Sequence, residues 1–221
     1  MPHEPQVHVL FHGIGTPSRE LEPGEDELWV GTDLFHRLLD EAMTWPGIEF
    51  SFDDGNLSDL EIGLPALHDR GLTARFNVIA GRLGDGGSLG EDHVRELRRA
   101  GMPIGTHGMV HRSWRGLGDG SADVELVEAR VVLEEVCGEP MTVAACPFGE
   151  YDRGALARLR AAGYDTVLTS DRRPARDGQW LQPRYSVRGW DTPDTLRAEV
   201  LSLGRLRRAR RVAAGVVKRL R

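Results

Sequence analysis

Ile48-Glu49-Phe50-Ser51-Phe52-Asp53-Asp54-Gly55 is a short apolar run that ends in two adjacent carboxylates and a glycine. Two acids side by side at a strand tip want a cation. Successive strand side chains point to opposite faces, but a bend at Gly55 lets both acids reach one pocket. One can then bind a metal while the other handles a proton. Asp-Gly is also a common turn dipeptide, and such a pair can cap a helix, so the meaning of the stretch rests on its surroundings.

Outward from this run the chain alternates. Upstream, Val7-His8-Val9-Leu10-Phe11-His12 is β-rich and is broken by Gly13, a first strand with His12 at its C-terminal tip. Residues 15–27, rich in Gly, Pro and Glu, read as a loop or lid without assignable chemistry. The spacing of Leu34, Phe35, Leu38, Leu39 and Ala42 predicts an amphipathic helix over 32–44. Downstream, helices are expected over 58–70, 91–100, 122–137 and 153–162, and a last one begins near Pro193. Strands are expected over 73–80, 103–106, 142–146, 166–169 and 181–187. About seven alternations imply parallel strands with helical crossovers. Special residues fall repeatedly at strand C-terminal ends, where a β/α barrel builds its site.

The 221 residues suffice for one large domain with its own core. Two cysteines, Cys137 and Cys146, make no disulfide framework and lack metal-site spacing, which favours a reducing compartment. The N-terminus does not read as a secretory signal and no stretch is long enough to span a membrane, so a cytoplasmic location is expected. The net charge of −6 hides an asymmetry: residues 205–221 carry 8 of the 28 Lys and Arg and no acid. Residues 1–204 then hold 20 bases and 34 acids, a net of −14, which argues against general nucleic-acid binding.

His107-Gly108-Met109-Val110-His111 places two imidazoles four residues apart, one helical turn, so that both can point the same way from a helical loop. With one carboxylate of the Asp pair they make a two-His, one-carboxylate set that leaves positions open for water and substrate. The plain alternative is two histidines on a solvated turn. The joint occurrence of both motifs at predicted strand tips of one α/β unit favours a metal centre.

Taken together, Ser51 to Gly55, Thr106 to His111 and Cys146-Pro147-Phe148-Gly149 resemble, in order and separation, the three leading motifs of the NodB-like polysaccharide deacetylases, carbohydrate esterase family 4. The resemblance extends from about Val7 to Val187 and implies a distorted (β/α)7 barrel that hydrolyses N-acetyl groups with the help of a divalent metal, most often zinc. It makes Asp54, His107 and His111 the metal ligands and Asp53 the general base. The residues read by themselves agree, because a cation acidifies water and a free carboxylate accepts its proton. The backbone N–H of Phe148, just after Pro147, can stabilise an oxyanion; Pro147-Phe148-Gly149 is otherwise a strand-ending turn.

Two departures from the family pattern stand out. Many members carry an arginine two residues before the proline, orienting the basic aspartate, where this chain has Ala145. Arg184 is the candidate replacement, since strand seven of a closed barrel lies beside strand one; a rim ion pair is its other reading. Many members also carry a C-terminal Leu-x-His whose histidine protonates the leaving amine, whereas no histidine follows His111. Leu10-Phe11-His12 is a Leu-x-His on the first strand, which resembles the circularly permuted members and makes His12 the candidate general acid. Imidazole, with an ordinary pKa near 6.5, carries a proton at working pH. A structural histidine bonded to a loop carbonyl is the alternative, and Asp171 is a candidate for orienting the ring.

Trp114 and Trp190 follow predicted strand ends and offer indole faces for sugar stacking, or serve as partial core. With Pro147, Phe148 and Arg184 they complete the expected substrate side of the site. Residues 205–221, set apart from the deacetylase unit of 1–204, place Leu206, Ala213, Val217 and Leu220 on one helical face among arginines. Such a helix suits an anionic membrane or lipid-linked phosphates, hence peripheral contact at the inner membrane face; a packed or disordered basic end is the bland reading. The expected function is removal of N-acetyl groups from an N-acetylhexosamine-containing glycan or a lipid-linked precursor. The alternatives are a hydrolase of a cyclic or small-molecule amide on the same fold, and a non-catalytic glycan-binding relative.

Overall fold

Strand β1 (Pro5–Phe11) pairs in parallel with β2 (Ile48–Phe52), and the series continues through β3 (Ala74–Val78), β4 (Ile104–Thr106), β5 (Val143–Ala145) and β6 (Thr166–Thr169), every pairing parallel. The coordinates are a computed structural model, which describes residues 5–176, 178–201 and 205–220. A two-residue strand, β7 (Ala175–Arg176), runs antiparallel to the start of β1. The predicted seventh strand is two: β8 (Leu181–Pro183) pairs with β6, β9 (Tyr185–Ser186) pairs with β1, and Arg184 sits at the break. That split brings the sheet almost full circle, the barrel expected from the alternation.

The helices lie outside the barrel: α1 (Thr32–Ala42), α2 (Leu64–His68), α3 (Glu91–Arg99), α4 (Asp119–Asp123), α5 (Ala129–Cys137), α6 (Arg153–Ala161), α7 (Pro193–Leu201) and α8 (Arg205–Leu220). Wider π-helical turns over Asp59–Gly63 and Val124–Glu128 interrupt the helices expected over 58–70 and 122–137. Apolar stripes explain the packing. Phe35, Leu38, Leu39 and Ala42 of α1, Val94 and Leu97 of α3, and Leu133 and Val136 of α5 are buried against the outer barrel face. Each such side chain contributes roughly 1.5–3 kcal/mol by leaving water.

Period-two alternation sorts the strands. Phe11, Phe52 and Phe76 face outward and stack in a row, with centroids 5.6 and 4.8 Å apart. Their neighbours in sequence turn inward. His8, Leu10 and His12, then Glu49, Ser51 and Asp53, then Arg75 and Asn77, therefore lie on the lumen side. This polar lumen is what the site is built from. Gly105 on β4 is part of the design, because a Cβ there would lie 2.2 Å from Asn77 Oδ1.

Candidate active site

The C-terminal ends of β1, β2, β4 and β5 open into one cavity of about 280 Å³. It is lined by His12, Asp53, Asp54, His107, His111 and Phe148 among others, so four motifs separated in sequence converge. The described non-glycine residues with left-handed backbone are Asp54 (φ 78°), His111 (φ 52°), Phe148 (φ 57°) and Arg172 (φ 52°). All of them line this cavity. Such conformations cost about 1–3 kcal/mol each and persist where the surroundings over-determine them; two of them, Asp54 and His111, bring Oδ1 and Nε2 to 3.5 Å from one another. Asp54 reaches the pocket through its own turn, not through a bend at Gly55 alone.

The His-x3-His segment is not helical as its spacing predicts. It is a loop turned by Gly108 (φ 82°) and His111, seated on a buried carboxylate that sequence reasoning missed. Glu125 Oε2 accepts the Met109 N–H at 3.0 Å and Oε1 that of Val110 at 3.3 Å. Any side chain at Gly108 would collide with Glu125 Oε2, 2.3 Å from the Cβ position. The imidazoles converge because the loop is bent over Glu125.

His107 Nδ1 lies 2.9 Å from the carbonyl oxygen of Ala145. A carbonyl only accepts, so Nδ1 carries the hydrogen and Nε2 presents a lone pair. That Nε2 is 3.4 Å from Asp54 Oδ1, and His111 Nε2 is 3.5 Å from the same oxygen. Asp54 Oδ1 is buried and accepts no hydrogen bond. The three donor atoms lie within 4.8 Å of one another. Two ligand bonds of about 2.1 Å at a tetrahedral angle separate their donors by about 3.4 Å, so an orphaned carboxylate oxygen between two imidazole lone pairs fits a divalent cation. Burial pushes the His107 imidazole down to about 4, against the pull of Asp53, which keeps the ring neutral as a ligand must be. Burial pulls Asp54 upward, but the imidazoles of His12 and His111 outweigh it and leave its carboxyl below the ordinary range.

Asp53 is held differently. Arg184, with no exposed surface, donates Nη1 to Asp53 Oδ1 at 2.8 Å and Nη2 to Oδ2 at 2.7 Å. Its Nη1 also reaches Ser51 Oγ at 3.0 Å and its Nε the Thr169 carbonyl at 3.2 Å. Asn77 Nδ2 donates to Asp53 Oδ1 at 2.7 Å. Burial alone would raise the Asp53 carboxyl; the Arg184 charge and fork hold it well below the usual carboxylate range. Arg184 faces Asp53 rather than the cavity, so its placement among substrate-facing residues is corrected.

His12 lines the cavity and is buried, its Nδ1 without a hydrogen-bond partner. Asp171 does not orient it, because that carboxylate is taken by Tyr151 Oη and Lys218 Nζ, each at 2.7 Å. Phe148 is half-exposed at the mouth, its ring centroid 4.3 Å from that of His111. Pro147 is buried behind it. Trp114 is fully buried among Ala122, Leu126 and Tyr151 and has no face to offer a sugar. Trp190 is exposed beneath Arg188, which lines the cavity. Asp59, unnoticed in the sequence, is fully buried with neither oxygen bonded. Burial, with the charges of Asp54 and Asp53, pushes its carboxyl well above the usual range.

Residues 42–167 match the family described as Polysaccharide deacetylase. The matched span contains Asp53, Asp54, His107, His111 and Pro147 but neither His12 nor Arg184. YxkH of Bacillus subtilis (strain 168), which bears a polysaccharide deacetylase name, is 23% identical over 138 residues, 62% of this chain and 50% of that protein. The chain therefore spans half the length of that curated relative. The deacetylase PplD of Streptococcus pyogenes, solved in complex with acetate, superposes with a TM-score of 0.76 at 18% identity, over 90% of this chain and 99% of that one. IcaB of Ammonifex degensii does so with a TM-score of 0.72 at 20% identity, over 90% and 97%. At such identities the structural likeness speaks for the fold, and the sequence match, which runs over more than half of the chain, places it in the NodB-like polysaccharide deacetylase family.

Proposed function

We propose that this chain is a metal-dependent N-deacetylase acting on an N-acetylhexosamine-containing glycan or glycan precursor. The observation that carries the reading is the buried, unbonded Asp54 Oδ1 between the Nε2 atoms of His107 and His111, beside a second carboxylate held by its own arginine. Asp54, His107 and His111 would hold the metal, and zinc suits such a donor set. When bound, the cation supplies acidified water and a polarised amide carbonyl. Asp53 is ionised throughout the physiological range and accepts the proton that water loses as it attacks the acetyl carbon. Arg184 and Asn77 hold Asp53 in one orientation, which removes the cost of arranging it during reaction. His12 gives its proton to the sugar nitrogen as the C–N bond breaks, so that acetate and a free amine leave. Phe148 walls the acetyl side, and Trp190 offers its exposed face to a sugar ring further out.

PplD is a deacetylase solved with acetate, which supports an acetyl group as the part removed. The Arg184–Asp53 pair speaks against a non-catalytic relative, because it restores the charge partner that Ala145 lacks. The test is free acetate released from N-acetylated oligosaccharides by zinc-loaded protein, with chelated protein as control. Metal content should be lost in Asp54→Ala and His107→Ala. Metal-independent ring opening of a cyclic amide, with no acetate from any glycan, would overturn the reading.

We infer that α8 lies on an anionic lipid surface, which would bring the site to lipid-linked sugars. Its body-facing side is the polar one: Arg211 bonds Glu199 at 2.6 Å and Lys218 bonds Asp171 at 2.7 Å. Val212, Val216, Val217 and Leu220 face outward instead. The expected contribution of Leu206 lies outside the described side chains. Lys218 also donates to the Gly149 carbonyl at 3.0 Å, so the last turns of α8 touch the turn that walls the cavity. The segment 205–221 has eight basic residues and no acid, and those other than Arg211 and Lys218 supply the attraction. No described helix is long and apolar enough to cross a membrane. Both cysteines are free, in keeping with a cytoplasmic location.

A further inference from the structure

The segment 15–28, of which residues 15–27 carry no assignable chemistry in the sequence, crosses the mouth of the barrel as a strap. Glu22, Pro23, Gly24 and Glu25 form one wall of the cavity. The strap is tied to three other loops of the site. Arg19 pairs with Glu25 of the strap and donates to Asn56 Oδ1 from Nε at 3.0 Å and Nη2 at 2.8 Å, beside the Asp53-Asp54 turn. Arg82, after β3, pairs with Glu22. Arg188, after β9, bonds Glu27 at 2.5 Å.

Glu22 makes one more contact. Its Oε2 lies 2.8 Å from Nδ1 of His111. An ionised carboxylate only accepts, so this bond places the hydrogen on Nδ1 and leaves the Nε2 lone pair aimed at Asp54 Oδ1. Ala145 does the same for His107 through its carbonyl, but that carbonyl belongs to β5 and is fixed by the sheet. The orientation of His111 depends on a segment outside the barrel.

We propose that Glu22 is a positioning residue for His111, and that seating of the strap and binding of the cation favour one another. The inference rests on the metal reading given above. A carboxylate behind a ligating imidazole fixes its tautomer and raises its basicity, and losing one typically costs about 10- to 100-fold in metal affinity. Linkage then requires the reciprocal effect: the cation must hold the strap closed by the same factor.

The test is calorimetric titration of the full chain with zinc against a competing chelator. Glu22→Ala should bind zinc about 10- to 100-fold more weakly, and Glu22→Gln, whose amide oxygen still accepts, should recover most of that loss. Arg82→Ala, which leaves Glu22 in place but unclamped, should fall between and serves if Glu22→Ala does not fold. In hydrogen exchange, zinc should slow the amides of 15–28 in the wild type and not in Glu22→Ala. Zinc affinity in both Glu22→Ala and Arg82→Ala within about twofold of wild type, or exchange over 15–28 untouched by zinc in the wild type, would overturn the coupling while leaving the metal site intact. Absence of zinc binding by the wild type would overturn both readings.

Discussion

Arg184 grips Asp53 with both terminal guanidinium nitrogens, Nη1 and Nη2, at 2.8 and 2.7 Å, across 131 positions of sequence and out of solvent. The pair closes the barrel chemically at the place where it closes structurally. Arg184 stands where β8 hands over to β9, and its fork reaches to the end of β2. A planar guanidinium matches a carboxylate in a way that a lysine cannot.

Arg184→Met leaves a buried carboxylate without its counter-charge. The expected cost is about 3–5 kcal/mol of stability, read as a lower urea midpoint, together with loss of acetate release. Arg184→Lys should keep more stability than activity, since it restores charge without the fork. A lysine variant with wild-type turnover would show that orientation of Asp53 is not what the arginine provides.

His12→Ala removes the proposed proton donor without touching a metal ligand. Turnover should drop by about 10²- to 10⁴-fold while bound metal, measured by atomic absorption, stays at the wild-type level. Unchanged turnover would strip His12 of the acid role.

Asp59→Asn replaces a carboxyl that burial and its acidic neighbours push well above the usual range with a neutral group of the same shape. Its unfolding free energy at neutral pH should stay within about 0.5 kcal/mol of wild type. A loss of several kcal/mol would mean that Asp59 is ionised in the native protein.

His8, buried on the lumen side of β1, is pushed down to about 4 by burial and by the charges of Arg184 and Arg75. Its folded value lies below the unfolded 6.5, so between these the unfolded chain binds more protons. The stability it contributes is complete above pH 6.5 and is lost as the pH falls toward 4. Unfolding free energies from urea titrations across this window should decline less in His8→Gln, by up to about 3 kcal/mol at the acid end. Identical slopes would place the acid sensitivity elsewhere, with His107 the next group to test.

The outward stripe of α8 predicts co-sedimentation with phosphatidylcholine vesicles containing phosphatidylglycerol, little with phosphatidylcholine alone, and weakening as salt rises. The double variant Val216→Glu, Val217→Glu should release the protein while leaving its melting temperature unchanged. No binding to anionic vesicles, or a dimer in light scattering that the double variant abolishes, would assign the stripe to another role.

Much of the lumen was legible in the strands. Reading His8, Leu10 and His12, or Glu49, Ser51 and Asp53, as every second residue places them on one face, and the same reading applied to Arg75 and Asn77 would have found the amide that steadies Asp53. Glu22, Glu125 and Asp59 carry no such signal. They act from a loop, a π-helical turn and a helix start, and nothing in their spacing says what they touch. Between the two readings that its place after a strand tip allows for Trp114, sugar face or core, burial in the second apolar cluster decides for core.

The sequence by itself determined the alternation of strands and helices, the face each strand turns inward, and the identity of the aspartates and histidines at the strand tips, because these follow from local periodicity and from side-chain chemistry. Tertiary structure alone decided that Arg184 would serve Asp53, that Glu125 would bend the histidine loop, and that Glu22 would stand behind His111. Those are contacts between groups that meet only when the barrel closes, and their strength comes from the exclusion of water that closure brings about.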